Sequence, residues 1–223
     1  SITPVIVDPD VIKLFLDVNF KYDSSKTTKE RDTLVSNVKT TLTDFNNTNL
    51  KSFNLMFRHS ELTALIDNTD AAILSNITNL NLAKSITPTL NTSSSFNIYF
   101  NNALYNPHSG HNASAGGILT STGFKVSGDA TNVQYFDEDG QGNVRRYYLI
   151  GITRNYTDNN AGTIDYATGA IVLNGITITS IEDVDGVAST SIRFTVVPNS
   201  KDIVPVRNQI LEIDFNNSKI SGE

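Results

Sequence analysis

The chain has 223 residues, a formal net charge of −6, a pI near 5.0 and no cysteine. The missing thiols exclude disulfides and cysteine-based metal sites. The acidic balance, with 17 scattered basic residues and Arg145-Arg146 as the only adjacent basic pair, excludes an extended phosphate-binding surface.

Such a length buries roughly 70% of its unfolded surface, so no staples are needed. The apolar runs fall far short of the eighteen or so residues that a membrane helix requires, and the first residues lack the pattern of a signal peptide. We therefore expect a soluble chain made in a reducing cytosol, without membrane or nucleic-acid contacts. It opens mid-pattern at SITPVIVDPD without an initiator Met, as a piece of a longer protein would. Asn, Ser and Thr make up about a third of the residues, a bias that favours polar strand faces and Asx turns. It also produces sequon-like triplets, Asn76-Ile77-Thr78 and Asn112-Ala113-Ser114, read here as accidents of composition.

In chain order, residues 11–22 alternate, with Ile12, Leu14, Leu16, Val18, Phe20 and Tyr22 on one face, which predicts a half-buried strand. Thr27 followed by Glu30 has the spacing of a capping box, opening a helix with Leu34, Val35, Val38, Leu42 and Phe45 on one side and ending near Asn46-Asn47. Ser60 caps a shorter helix carrying Leu62, Leu65 and Ile66, followed by a strand from about Ala72 to Lys84. Residues 1–87 thus read as an α+β unit. Pro88 and the TLNTSSS run mark a boundary, and residues 88–223 read as a β-rich, mainly antiparallel unit, sandwich-like or a curled sheet. Strands are predicted at 95–100, 123–128, 144–154, 162–166, 170–178, 190–197 and 210–215. The fold class is α+β. Residues 101–122, rich in Ser, Gly, Asn and His, predict a long surface loop, the first place to look for a partner.

The stretch GTIDYATGAIVLNG has hairpin grammar: Gly169 falls where a turn needs positive φ, and Gly162 and Gly175 bracket the pair. A phosphate cradle would require a following helix, and a strand follows instead. In DEDGQGN (137–143), Asp137, Asp139, Gln141 and Gly142 occupy early positions of a calcium loop. The twelfth position is Tyr148 rather than Glu, so the segment reads as an acidic hairpin turn. His108 and His111 have ligand spacing but lie in a Gly/Ser loop with no helix face to hold them together, and no metal is expected. No GxSxG or HExxH occurs. Asp8/Asp10 and Asp183/Asp185 read as turn builders. With no tryptophan, a sugar-stacking face rests on Tyr147-Tyr148, Tyr99 and Tyr105 alone. Arg207, Asn208 and Gln209, between two apolar segments, read either as a connecting loop or as an interface clamp.

Four segments in order, KYDSSKTTKE, FRHSELTALIDNTDAAILSNIT, GTIDYATGAIVLN and NSKDIVPVRNQILEIDF, resemble the carboxy-terminal part of the large baseplate wedge subunit of T-even-type contractile-tailed phages and, more remotely, J-like baseplate proteins. The resemblance implies a structural protein of the virion, assembled in the host cytoplasm. It implies a homodimer that closes into a ring with other wedge and hub-proximal proteins, and no cofactor or catalytic residue. The family's hairpin signature maps to Gly162, Asp165, Tyr166 and Gly169, and its late Arg-Asn-Gln segment to Arg207, Asn208 and Gln209. The runner-up reading is a tail-associated binding module, an adhesin or carbohydrate-binding β domain.

Overall fold

The structure, a computed structural model, describes residues 8–111 and 117–223. The triplet Asn112-Ala113-Ser114, the middle of the 101–122 loop and the first seven residues lie outside them. The chain divides into two compact units, one containing the residues up to Leu80 together with Lys201–Glu223, the other Asn81–Ser200.

In the first unit, β1 (Asp10–Tyr22) is the predicted alternating strand, with Ile12, Leu14, Leu16, Val18 and Phe20 buried. Helix α1 (Arg31–Asn49) buries Leu34, Val38, Leu42 and Phe45, one stripe at helical spacing. Val35 is only half-buried. The expected capping box is not formed. Glu30 is the residue before the helix and makes no side-chain cap, while the Thr27 hydroxyl accepts from the Lys29 backbone N–H at 3.1 Å. The pair belongs to a turn that follows a short 3-10 segment, Ser24–Lys26.

Helix α2 (His59–Asp67) begins one residue before Ser60. Its first N–H is satisfied by the Asp202 carboxylate at 2.8 Å, a cap supplied from far along the chain. Strand β2 (Ile73–Ile86) follows and lies beside β1. Phe45 of α1 meets Phe57 edge-on with centroids 6.1 Å apart, adding an aromatic pair to the buried interior.

The late apolar segment was expected in the β-rich unit, but β11 (Gln209–Ile213) and β12 (Lys219–Gly222) belong to the first. Both pair in parallel with β1, β11 against Asp10–Leu14 and β12 against Asp17–Phe20. Parallel neighbours require a long crossover, and here it runs through the entire second unit, so local pattern gave no sign of it. Between the two strands Asp214 accepts from the Asn216 and Asn217 backbone N–H groups at 3.0 and 3.2 Å, an Asx turn that makes the step from one to the other.

In the second unit, the end of β2 (Leu82–Ile86) pairs antiparallel with β10 (Ile192–Val196), which pairs in turn with the short β4 (Leu119–Ser121). The other strands are β3 (Ser93–Tyr99), β5 (Phe124–Val126), β6 (Asp129–Glu138), β7 (Asn143–Ile150), β8 (Thr153–Asp165) and β9 (Ala170–Ile181). Strands β5 through β9 pair in sequence, and β9 returns to β5, closing a circuit; β3 joins β9 outside it. The antiparallel expectation holds, with a closed five-stranded barrel in place of a sandwich or an open curl. Phe124 stacks on Phe136 and Phe136 on Phe194, with centroids 4.8 and 5.7 Å apart, and all three are buried.

Strand β6 was missed, and the run 144–154 read as one strand is a hairpin. Gly151 at φ 61° turns it, so β7 ends at Ile150 and β8 starts at Thr153.

Candidate functional site

Asp165, at the end of β8, Tyr166 and Gly169 form one tight turn into β9, while Gly162 lies within β8. The Asp165 carboxylate accepts from the Ala167 N–H at 2.9 Å and the Thr168 hydroxyl at 2.7 Å. Those bonds, Thr168's first, hold its pKa below the ordinary aspartate value. The Gly169 N–H donates to the Asp165 carbonyl at 2.8 Å, and Gly169 adopts φ 70°. A Cβ there would stand 2.4 Å from the Asn102 carbonyl oxygen. Gly162 serves close strand approach: a Cβ on it would lie 2.2 Å from the Val172 carbonyl oxygen.

The same turn receives the long loop. Phe100 N–H donates to the Gly169 carbonyl at 2.9 Å and Leu104 N–H to the Tyr166 carbonyl at 2.7 Å. The Tyr166 hydroxyl donates to the buried Glu138 carboxylate. Burial, then that bond, push the Tyr166 pKa well above its ordinary value. Glu138 also accepts from the Ile118 N–H at 2.8 Å, fixing the far end of the loop. Gly169 and Tyr166 thus hold one end of the loop, and Glu138, bonded to Tyr166, holds the other.

The acidic hairpin separates into two devices. Asp139 closes the β6–β7 turn by accepting from the Gln141 and Asn143 N–H groups at 2.8 and 3.0 Å. Asp137 lies inside β6, fully buried, and accepts from Arg145 Nε at 3.0 Å, Arg154 Nη1 at 2.8 Å and the Tyr156 hydroxyl at 2.8 Å. Arg145 stacks over Tyr156 and Arg154 over Tyr147, 4.3 and 4.8 Å from the ring centroids. Burial pushes the Asp137 carboxyl above its ordinary pKa, against the opposing pull of Tyr156 and Arg145. With Tyr147 buried in this cluster, it offers no platform for a sugar ring.

The Arg207 segment splits. Gln209 is buried and its side-chain amide donates to Asp10 at 2.7 Å, while Asp10 N–H donates to the Asn208 carbonyl at 3.0 Å. These two residues start the β1–β11 ladder. Arg207 is exposed and makes no hydrogen bond or ion pair with another described residue.

Sequence reading missed the tip of the β7–β8 hairpin. Leu149, Ile150 and Ile152 are 44, 63 and 98% exposed, an uncharged apolar point on a protein whose surface is otherwise rich in small polar groups. The signal was present as the apolar run around Gly151, hidden by reading that run as one buried strand. On the first unit, Leu74 and Ile77 of β2 are likewise exposed.

No helix among the described residues is long and apolar enough to cross a membrane. Residues 11–85 match the family described as baseplate structural protein gp6, C-terminal domain III. That span covers β1, both helices and nearly all of β2. It contains two of the four segments, KYDSSKTTKE and FRHSELTALIDNTDAAILSNIT, where it agrees with the resemblance, and it supports a structural role in a phage tail baseplate. No curated protein sequence matches the chain.

Proposed function

We propose that the chain is a structural subunit of a baseplate wedge, acting by self-association and by contacts with other wedge and hub-proximal proteins, and carrying out no reaction. The match over residues 11–85 carries this reading. Each unit supplies assembly surface. The hairpin tip at Leu149, Ile150 and Ile152 offers apolar area of the kind that becomes the buried centre of an interface, and exposed Arg207 provides a planar fork for a neighbour's carboxylate or carbonyl. The signature residues Gly162, Asp165, Tyr166 and Gly169 belong to the barrel unit, which also carries the hairpin tip. A symmetric dimer would use each contact twice, and a second, different contact would extend dimers into a ring.

Immunogold labelling of the phage particles that carry this chain tests the placement. The expected label lies at the end of the tail distal to the capsid. Label on the capsid or along the tail shaft would overturn the proposal.

A further inference from the structure

We propose that His108 and His111 form a chelating pair for a divalent transition cation of the Zn²⁺ or Cu²⁺ class, held on the surface of the barrel unit by the turn between them. The turn performs what no helix face does. His111 N–H donates to the His108 carbonyl at 3.0 Å, and the intervening Gly110, at φ 77°, donates its N–H to the Gly140 carbonyl at 2.8 Å. The pair is thereby fastened to the β6–β7 turn. The Tyr105 ring packs edge-on against His111, centroids 5.5 Å apart.

The two imidazoles stand perpendicular, with Nε2 of His108 3.1 Å from Nδ1 of His111. A second contact settles which nitrogen is free. His108 Nδ1 lies 3.2 Å from the Ser109 carbonyl oxygen, which only accepts, so Nδ1 carries the hydrogen and Nε2 presents its lone pair toward His111. A ligating histidine is oriented in the same way, its other ring nitrogen donating to a backbone carbonyl.

Metal–imidazole bonds are about 2.0–2.1 Å long. Two nitrogens 3.1 Å apart therefore subtend roughly 100° at one ion, between a right angle and the tetrahedral value. On binding, the hydrogen between the rings moves to His111 Nε2, so that both rings are neutral, and the ion sits to one side of the line joining the two nitrogens. Imidazole ligands select Zn²⁺, Cu²⁺ and Ni²⁺ over Ca²⁺ and Mg²⁺. Among the described residues no group of three His, Cys, Asp or Glu side chains completes a closed cage, so water fills the other positions. The affinity is accordingly below that of a structural zinc site.

Calorimetric titration of the protein with Zn²⁺, repeated with Ca²⁺ and Mg²⁺, tests this alongside the variants His108→Gln, His111→Gln and both together. The expected result is one Zn²⁺ per chain, at least tenfold weaker binding in either single variant, none in the double variant, and none of Ca²⁺ or Mg²⁺ in any. Both side chains are exposed, so circular dichroism of the variants should be unchanged. In the unaltered protein, Zn²⁺ should shift the imidazole ¹⁵N resonances of both histidines together, a readout that needs no variant. Wild-type Zn²⁺ affinity in the double variant, or ¹⁵N shifts confined to one ring, would overturn the proposal.

Discussion

The side-chain oxygen of Asn46, buried on helix α1, accepts a hydrogen bond from the backbone N–H of Ile213 on β11 at 2.9 Å. Two residues 167 positions apart thus pin the end of the chain to its first helix. Replacing Asn46 with Ala leaves a buried N–H without a partner and should cost about 1–3 kcal/mol. Urea denaturation followed by far-UV circular dichroism measures it, and a loss under about 0.5 kcal/mol would show that the bond is dispensable.

Gly169→Val meets two obstacles, a positive φ and the Asn102 carbonyl oxygen 2.4 Å from the new Cβ. The expected loss is about 1–3 kcal/mol, visible as a lower thermal midpoint. Gly110, also at positive φ, has nothing within 4 Å of an added Cβ, so Gly110→Ala should cost less than Gly169→Val. Equal losses would mean that close approach to Asn102 contributes nothing.

Asp137→Ala strands two guanidinium groups. Removing one partner of a fully buried ion pair costs about 3–5 kcal/mol. Arg145 and Arg154 keep 15 and 30% of their side-chain surface exposed, so the expectation here is about 2–4 kcal/mol. Chemical denaturation monitored by tyrosine fluorescence reads the change, since Tyr147 and Tyr156 stack on the same arginines.

Acid should weaken the fold. Asp165, held low by Thr168 and Ala167, and Asp129, held low by the Asn132 N–H and side chain, both ionise below 3.8. Their contributions are complete above the unfolded carboxylate value and are lost as pH falls through the lower folded values. Asp137 acts oppositely. Its raised value means that its contribution is greatest below 3.8 and declines as pH rises through the folded pKa. The urea midpoint should therefore fall between about pH 5 and pH 3, and Asp165→Asn should flatten that fall. An unchanged slope would show that Asp165 contributes nothing to the acid sensitivity.

Much of this architecture is legible in the residues, and what is not has physical reasons. The face of β1 and the stripe of α1 are readable because burial imposes periods of two and 3.6. The turn at Gly169 is readable because positive φ selects glycine. Strand β6 escaped because Asp137 and Glu138, buried through partners on Arg145, Arg154 and Tyr166, break the apolar alternation expected of a strand. The cap on α2 escaped because it comes from Asp202. The parallel pairing of β11 and β12 escaped because register between distant segments leaves no local mark. Arg207 stands out in the sequence by its chemistry, and in the structure it is exposed. The hairpin tip was missed because one glycine decides whether an apolar run is a buried strand or an exposed point.

Ile152, at 98% exposure, touches little of its own unit, so Ile152→Ser should change folding stability by no more than about 0.5 kcal/mol. If the tip is an assembly contact, the same substitution should weaken self-association at least tenfold. Unaltered association would move the contact elsewhere on the surface.

The most direct measurement is sedimentation velocity of the unaltered chain over a hundredfold range of concentration, at low and at moderate salt. A dimer that persists as salt rises is the expected result, because an apolar contact is not screened. A monomer at every concentration and salt would contradict self-association as the way this protein works.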